Sequence, residues 1–224
     1  MMEQLPDILR TAFTAPEQEG EDKVVPLREA VARHLHPRDA VLMDRRANAA
    51  MREILRQFRD KDAGFTLVSS SIDNDAINLL HGGLVRQLVC GMCMHRYPST
   101  GPIRIAQELT QAGKLSMENW SLVTLNLRLK AAALGLPFLP TRSLMGSSAA
   151  EENRDTLRLL PDPFGEREPV LAVKPLRPDI AFVHAIACDR YGNAILPGPF
   201  EETLWGPRAA RRVVLTTERL VPTS

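Results

Sequence analysis

Three consecutive serines, Ser69, Ser70 and Ser71, close an apolar stretch of strand length that begins at residue 65. Open α/β sheets bind ligands at the carboxyl ends of their strands, where hydroxyl groups can contact a polar substrate. Asp73 follows as a helix cap, and a polar turn with such a cap explains the same residues equally well. The serines are therefore candidate ligand contacts, and a polar turn without a ligand is an equally good interpretation.

A second polar stretch contains Arg142, Gly146, Ser147 and Ser148. A guanidinium, serine hydroxyls and the backbone N–H groups of a glycine-containing loop together suit an anionic ligand, either a carboxylate or a phosphate. A solvated loop without a ligand fits the same spacing. The choice between these interpretations stays open on spacing alone.

Glu118 lies near the start of the longest predicted helix, residues 117–134, which Gly135 and Pro137 end. Leucines and alanines at helical spacing predict this helix. A carboxylate close to the amino terminus is favoured by the helix dipole, and taken alone that explanation outweighs a role in a site.

Cys90 and Cys93 have the spacing of half a zinc site, and His95 follows them. A structural zinc needs four ligands, and the remainder would have to come from scattered residues. These are Cys188, His34, His36, His81 and His184. We predict no metal here, because the pair continues a strand-like run and is explained by small buried thiols in a core strand.

Composition and motifs exclude several classes of protein. The 28 basic and 27 acidic residues leave a net charge of +1, and we expect no nucleic-acid partner. We expect no membrane span and no signal peptide, hence a cytoplasmic protein with reduced thiols. Serine hydrolases, P-loop nucleotidases, dinucleotide dehydrogenases and zinc proteases lack their usual motifs in this sequence.

Apolar runs of strand length alternate with amphipathic stretches of helical length, which predicts an α/β fold. Predicted strands cover residues 40–43, 65–70, 88–94, 171–176, 180–187 and 212–217, and further helices cover 27–35 and 51–58. Residues 1–22 are predicted to be a polar leader and 23–224 a single domain. A long surface excursion is expected after Pro140, and a tight turn at residues 189–193.

Four strings carry a family resemblance: GFTLVSSS with NLLHGGLVRQLV, MENWSLVTLNLRLKAAALGLPFLPTRSLMGSS, LAVKPLRPDIAFVHAIACDRYGNAI, and WGPRAARRVVLTTERLVPT. Together they resemble the A (alpha) subunit of the class I CoA-transferases, especially the glutaconate CoA-transferase branch, over roughly residues 23–222. The resemblance implies a mixed, mainly parallel sheet covered by helices on both sides, of the CoA-transferase/sugar-phosphate-isomerase type.

The resemblance also implies a partner and a division of labour. A B (beta) subunit would complete a heterodimer or heterotetramer and supply the nucleophilic glutamate, so this chain alone would be inactive. No cofactor would be bound permanently, because the coenzyme A thioester is itself a substrate. This chain would contribute the wall of the cleft that binds the acid or acyl group: Ser69, Ser70, Ser71, Glu118, Arg142, Gly146, Ser147 and Ser148.

Two alternatives accompany this expectation. A related branch hydrolyses a ring of steroid-derived CoA thioesters, and Glu118 would be its catalytic residue in this chain. The family's glycine-rich loop is replaced by VLMDRRANAAMREIL, in which Arg45 and Arg46 are candidates to meet CoA phosphates. The lost glycines and short tail are what a noncatalytic acyl-CoA-binding protein would show.

Overall fold

The computed structural model describes residues 19–73, 76–95, 100–165 and 168–223, leaving aside the side chain of residue 201. In chain order the strands are β1 (Ala40–Met43), β2 (Phe65–Ile72), β3 (Val85–His95), β4 (Gly101–Pro102), β5 (Ser116–Asn119), β6 (Leu139–Thr141), β7 (Leu157–Leu160), β8 (Val170–Val173), β9 (Ile180–Ala185), β10 (Ala187–Cys188), β11 (Ala194–Ile195) and β12 (Arg212–Thr217). The helices are α1 (Leu27–His34), α2 (Asn48–Phe58), α3 (Ala76–His81), α4 (Arg104–Gln111), α5 (Leu122–Ala133), α6 (Ser148–Glu152) and α7 (Glu201–Ala209).

The main sheet has seven strands in the described part of the chain, in the order β12-β9-β1-β2-β3-β4, with β5 also paired to β3. All its pairings are parallel except that of β3 with β4. Strands β6, β8 and β7 form a smaller antiparallel sheet, and β10 pairs with β11. The predicted α/β class with a mixed, mainly parallel sheet is confirmed.

Apolar side chains on the two faces of the main sheet build two cores. On one face α1, α2, α3 and α4 pack through residues such as Val31 and Ile54 onto Leu67 of β2. On the other face α5 and α7 pack through residues such as Leu129 onto Val68. Neighbouring residues of β2 thus serve opposite cores, because successive side chains of a strand point to opposite faces.

Several predicted elements have the expected positions. The strands at residues 40–43 and 212–217 have the predicted bounds, and the predicted helices 27–35 and 51–58 correspond to α1 and α2. Strand β2 runs two residues past its predicted end at Ser70, so the serines lie within the strand. The predicted strand 180–187 is divided into β9 and β10.

Two predictions were wrong. Helix α5 begins at Leu122 rather than at residue 117, because residues 116–119 pair with β3 as β5. The Ser121 hydroxyl accepts the N–H of Thr124 at 3.0 Å and so marks the true start of the helix. The stretch after Pro140 is also more than a surface excursion, because it contains a helix and a strand, α6 and β7. These elements are too short to show periodicity.

Most of the predicted polar leader, namely residues 1–18, lies outside the described residues, so the domain boundary stays a prediction. Its described end is attached to the domain, because Asp22 pairs with Arg190 at 2.6 Å. The adjoining Lys23, the first residue of the predicted domain, donates its N–H to the Arg190 carbonyl at 2.9 Å. Across the described ranges, no helix combines the length and apolar character that a membrane crossing requires.

Gly206 sets how closely α7 lies against the sheet. A Cβ atom at this position would lie 2.4 Å from Cδ1 of Leu42, which is fully buried in β1. We expect Gly206→Ala to lower the free energy of unfolding by about 1–3 kcal/mol, because an extra carbon in a packed core displaces its neighbours. Urea unfolding measures the change. Gly101→Ala, at a position with open space, is the control, and equal stability of the two variants would contradict the prediction.

The predicted turn at residues 189–193 is confirmed and is organised by the buried carboxylate of Asp189. Burial by itself raises the pKa of Asp189, but donors on Asn193, Thr223 and the Tyr191 backbone outweigh it and lower the pKa to about 2. Thr223 donates at 2.6 Å, which attaches the carboxyl-terminal segment to this turn.

We expect the carboxylate of Asp189 to make the free energy of unfolding depend on pH in the acid range. A carboxyl with a depressed folded-state pKa contributes stability that is complete above its ordinary pKa of 3.8 and lost as the pH falls through about 2. Asp189→Asn should therefore be less stable than the unmodified chain at pH 6, with the difference shrinking between pH 4 and pH 2. Urea titrations at each pH test this, with the exposed Asp60→Asn as control. A difference independent of pH would contradict it.

Candidate functional site

The candidate site lies at the carboxyl edge of the main sheet. Strand β2 carries Ser69, Ser70 and Ser71 to this edge, with exposed fractions of 2%, 0% and 2%. The loop after β1 and the start of α7 reach the same edge, because the Arg46 guanidinium donates to the Pro199 carbonyl at 2.7 Å. The serines thus lie at the carboxyl end of β2, but inside the strand and buried, and their contact with a ligand stays a prediction.

The serine hydroxyls differ in their partners. The Ser69 hydroxyl lies 3.1 Å from the Ser71 carbonyl oxygen and 3.3 Å from Oε1 of Glu202. The Ser71 hydroxyl donates to Oδ2 of Asp73 at 3.3 Å. The Ser70 hydroxyl is buried and has no hydrogen-bond partner among the described residues. Two of the three hydroxyls are therefore held by the chain itself.

Sequence reasoning missed two buried acids at this edge, and Asp73, which it treated only as a cap, is buried as well. Asp44, Asp73 and Glu202 have exposed fractions of 1%, 5% and 1%. Asp44 directly follows β1, and this position at the end of a strand could have identified it as a candidate site residue. No comparable signal existed for Glu202, since helix α7 has Gly206 and Pro207 inside it and was not recognised.

Asp44 joins the two strands between which the order of the sheet reverses. Its Oδ1 accepts the Arg46 N–H at 3.1 Å, and its Oδ2 accepts the backbone N–H of His184 on β9 at 3.1 Å. From β1 the chain continues to β2 on one side, whereas β9 lies on the other. Open α/β sheets bind ligands at such a switch point.

Arg45 and Arg46, the predicted contacts for CoA phosphates, differ in their availability. The Arg46 guanidinium is used within the chain by Asp44 and Pro199. Arg45 is half-buried and makes no hydrogen bond with the part of the chain that the structure describes. The phosphate contact stays a prediction, and Arg45 is the better candidate for it.

Glu118 occupies the edge strand β5 instead of a helix terminus, and its carboxylate is held from several directions. Its Oε1 pairs with the Arg128 guanidinium and accepts the indole N–H of Trp120 at 2.8 Å. The amide of Gln87 lies 3.5 Å from Oε2. The guanidinium of Arg128 also stacks 4.3 Å from the centre of the Trp120 ring. Burial lowers the pKa of Arg128, and Glu118 opposes that shift.

The second predicted group lies in the loop between β6 and α6. Arg142 is exposed and pairs with Glu168 at 2.7 Å. Gly146 has a φ of 72°, a left-handed conformation that a glycine adopts without strain. Ser147 is the N-cap of α6 and donates its hydroxyl to the Leu144 carbonyl at 2.7 Å, and Ser148 is the first helical residue.

Contacts at the start of α5 connect this loop with the serines of β2. The hydroxyls of Ser121 and Ser143 lie 2.7 Å apart. Leu122 lies beside Gly91 on β3, where a Cβ atom would be 2.7 Å from Cδ2 of Leu122 and 3.1 Å from the Ser70 carbonyl oxygen. The first turn of α5 thus touches the loop after β6 at Ser143 and lies close to the Ser70 backbone of β2.

The cysteine pair belongs to the core. Cys90 is buried and Cys93 partly buried, both on β3, as predicted for thiols of a core strand. Burial raises the pKa of Cys90 to about 12 and that of Cys93 to about 11, so neither is a reactive thiolate near neutral pH. The described residues contain no group of three or more side chains placed to hold a metal ion.

The sequence profile of the coenzyme A transferases matches residues 27–224. The chain belongs to this family. It is 29% identical over 218 residues to the A subunit of glutaconate CoA-transferase from Acidaminococcus fermentans, a match that covers 89% of this chain and 67% of that protein. The crystal structure of that transferase superposes with a TM-score of 0.77 at 28% identity, covering 89% of this chain and 68% of the other. The resemblance to the A subunits of this family is confirmed.

Two further relatives match this chain over shorter parts of their own length. A protein of unassigned function from Archaeoglobus fulgidus is 32% identical over 173 residues, 76% of this chain but 37% of that protein. The cholesterol ring-cleaving hydrolase IpdA subunit of Mycobacterium tuberculosis strain H37Rv is 41% identical over 101 residues, 42% of this chain and 34% of the hydrolase subunit. The matched parts therefore span only about a third of the length of each relative.

Proposed function

We propose that this chain is the A subunit of a heteromeric CoA-transferase, which moves CoA between an acyl-CoA and a free carboxylic acid. In this proposal a B subunit contributes the nucleophilic glutamate, in a heterodimer or heterotetramer. The family membership and the A subunits among the relatives support the general assignment. The free thiols Cys90, Cys93 and Cys188 fit a reducing compartment such as the cytoplasm.

One observation carries the assignment of the nucleophile to the partner. The carboxylates of Asp44, Asp73 and Glu202 are at most 5% exposed, and that of Glu118 is ion-paired with Arg128. A carboxylate must reach the thioester carbonyl carbon to act as a nucleophile. These four acids are buried or paired at the candidate site, so this chain fits the role of binding and orienting the substrates.

The proposed reaction divides one acyl exchange into easier steps. The partner's carboxylate attacks the thioester carbonyl carbon and the C–S bond breaks. CoA leaves as a thiolate, and the acyl group stays on the glutamate as an acyl-glutamyl anhydride. The thiolate then attacks the glutamyl carbonyl, which releases the first acid and leaves CoA on the glutamate as a thioester. The same steps in reverse pass CoA to the acceptor acid.

The residues of this chain would hold the two substrates in place. Arg142, with the loop at Gly146, Ser147 and Ser148, would bind the carboxylate of the free acid. The buried serines of β2 would form the wall of the cleft next to the acyl group. Arg45 would contact the phosphates of CoA. Arg142 is suited to its role, because it is exposed and its only ion-pair partner among the described residues, Glu168, is exposed as well.

A ring-opening hydrolase is the second candidate function. The identity of 41% with the ring-cleaving hydrolase subunit favours it, although only over 101 residues. In that case Glu118 would have to act on the substrate itself. Its carboxylate is already held by Arg128 and Trp120, so those contacts would have to be given up for Glu118 to act on a substrate. We therefore favour the transferase.

Co-expression of this chain with its genomic neighbour tests the proposal. The purified complex is given a panel of acyl-CoA esters with and without a free carboxylic acid, and CoA esters are followed by chromatography. The transferase predicts exchange that depends on the acid. Loss of a cyclic acyl-CoA without any acid would favour the hydrolase. Binding of CoA esters by a monomer without turnover would overturn both candidates in favour of a noncatalytic binding protein.

A further inference from the structure

Glu202 is a carboxylic acid with 1% exposure, placed by α7 at the carboxyl edge of the sheet. The position of the helix is closely set, because Gly206 lies against Leu42 and the segment before the helix is held by Arg46 at Pro199. A buried carboxylic acid costs free energy unless polar groups compensate it. Glu202 contacts Ser69, which lies 133 positions away in the chain, so this contact forms only when the chain folds.

The hydroxyl of Ser69 has one proton and two acceptors close to it. The carbonyl oxygen of Ser71 lies at 3.1 Å and Oε1 of Glu202 at 3.3 Å. If the proton points to Glu202, the carboxylate is ionised and accepts it. If the proton points to Ser71, a protonated Glu202 can donate to the Ser69 oxygen, giving a continuous chain of bonds from Glu202 to the Ser71 carbonyl.

In both arrangements the Ser69 side chain is fixed by groups of the chain. The hydroxyl links α7 to the end of β2, where Ser70 and Ser71 also lie. The Ser71 hydroxyl is held in turn by Asp73 at 3.3 Å. A misplacement of about 1 Å at a reacting centre can lower a rate by about a hundredfold, so a fixed backbone at this edge matters for turnover.

We propose that Glu202 is a positioning residue that acts through the Ser69 hydroxyl to hold the serine segment of β2 in its reactive geometry. This inference rests on the proposed function, because it assigns the serine segment to the substrate cleft. Glu202 itself would not touch the substrate. Its effect should therefore be found in kcat and depend on the presence of the Ser69 hydroxyl.

The test uses the complex with its partner and compares Glu202→Leu, Glu202→Gln and Ser69→Ala. We expect Glu202→Leu and Ser69→Ala each to lower kcat by about ten- to hundredfold with KM for the CoA ester within about threefold. Glu202→Gln, which can still donate to or accept from Ser69, should stay within about threefold of the unmodified complex. Adding Glu202→Leu to Ser69→Ala should cost nothing further, because the residues act as one unit.

Thr203→Val is the matched control, since Thr203 is 2% exposed in the same turn of α7 and its hydroxyl bonds to Phe200 within that turn. We expect it to leave kcat unchanged. Additive losses in the double variant, or a Glu202→Gln loss as large as that of Glu202→Leu, would overturn the proposal. If Glu202→Leu does not fold, an unchanged kcat in Ser69→Ala overturns it.

The failure of the proposed function is recognised separately. If the unmodified complex shows no exchange of CoA, the proposed function fails before any variant is measured. The coupling between positions 69 and 202 is then measured from the free energies of unfolding of Glu202→Leu, Ser69→Ala and their double variant. Additive losses in those free energies would show that Glu202 does not act through the Ser69 hydroxyl.

Discussion

Arg128→Met is expected to lower the free energy of unfolding by about 3–5 kcal/mol, more than Gly206→Ala does. Arg128 has a side chain that is 5% exposed and pairs with Glu118, which is 22% exposed. Removal of the cation leaves the Glu118 carboxylate largely buried with Trp120 and Gln87 as its remaining donors. The stacking of the guanidinium on the Trp120 ring is lost as well.

Urea unfolding of single and double variants measures this interaction. Glu118→Gln paired with Arg128→Met should recover much of the loss, because no buried charge is then left without a partner. The exposed pair of Arg104 with Glu108 is the control, and Arg104→Met should cost about 0.5 kcal/mol or less. If Arg128→Met costs no more than Arg104→Met, the ion pair does not hold β5 to α5.

Arg142→Ala is expected to raise KM for the free acid by about ten- to hundredfold, which corresponds to one charge-assisted hydrogen bond to a carboxylate. The Arg142 side chain is 55% exposed and its ion pair with Glu168 is a surface pair, so the melting temperature should stay within about 2 °C. Steady-state kinetics of the co-purified complex, with the CoA donor saturating, give KM and kcat, and a thermal melt gives the stability.

Glu168→Gln separates the substrate contact from the ion pair. It removes the acidic partner of Arg142 and leaves the guanidinium free, so KM for the acid should stay the same or fall. The assignment of Arg142 to the acid fails if Arg142→Ala leaves KM unchanged, or if Glu168→Gln raises KM by the same factor. The latter result would mean that the ion pair itself orders the loop.

The sheet could be predicted from the sequence because its central strands are buried on both faces. Residues 40–43 form a continuous apolar run whose limits are visible in the sequence, and the apolar run from residue 180 shows where β9 begins. The edge strand β5 has no such run. Its residues SMEN read as the first turn of the following helix, and only the pairing with β3 makes them a strand.

The candidate site was predictable in part. The serines of β2 were predicted from their place at the end of a strand, and Arg142 because a guanidinium suits an anionic ligand. Their contacts with a substrate stay predictions. The partners that determine what they can do come from distant positions, as Glu202 does for Ser69 and Arg128 for Glu118. Such contacts depend on how α5 and α7 pack on the sheet, and no local spacing encodes them.

The most direct test of the proposed division of labour asks which chain becomes covalently linked to CoA. The co-purified complex is incubated with an acyl-CoA in the absence of any acceptor acid and quenched in acid, and the mass of each chain is measured by intact-protein mass spectrometry. We predict a CoA adduct on the partner chain that disappears when a free acid is added, and none on this chain. An adduct on this chain, at Glu118 or any other carboxylate, would contradict the assignment of the nucleophile to the partner.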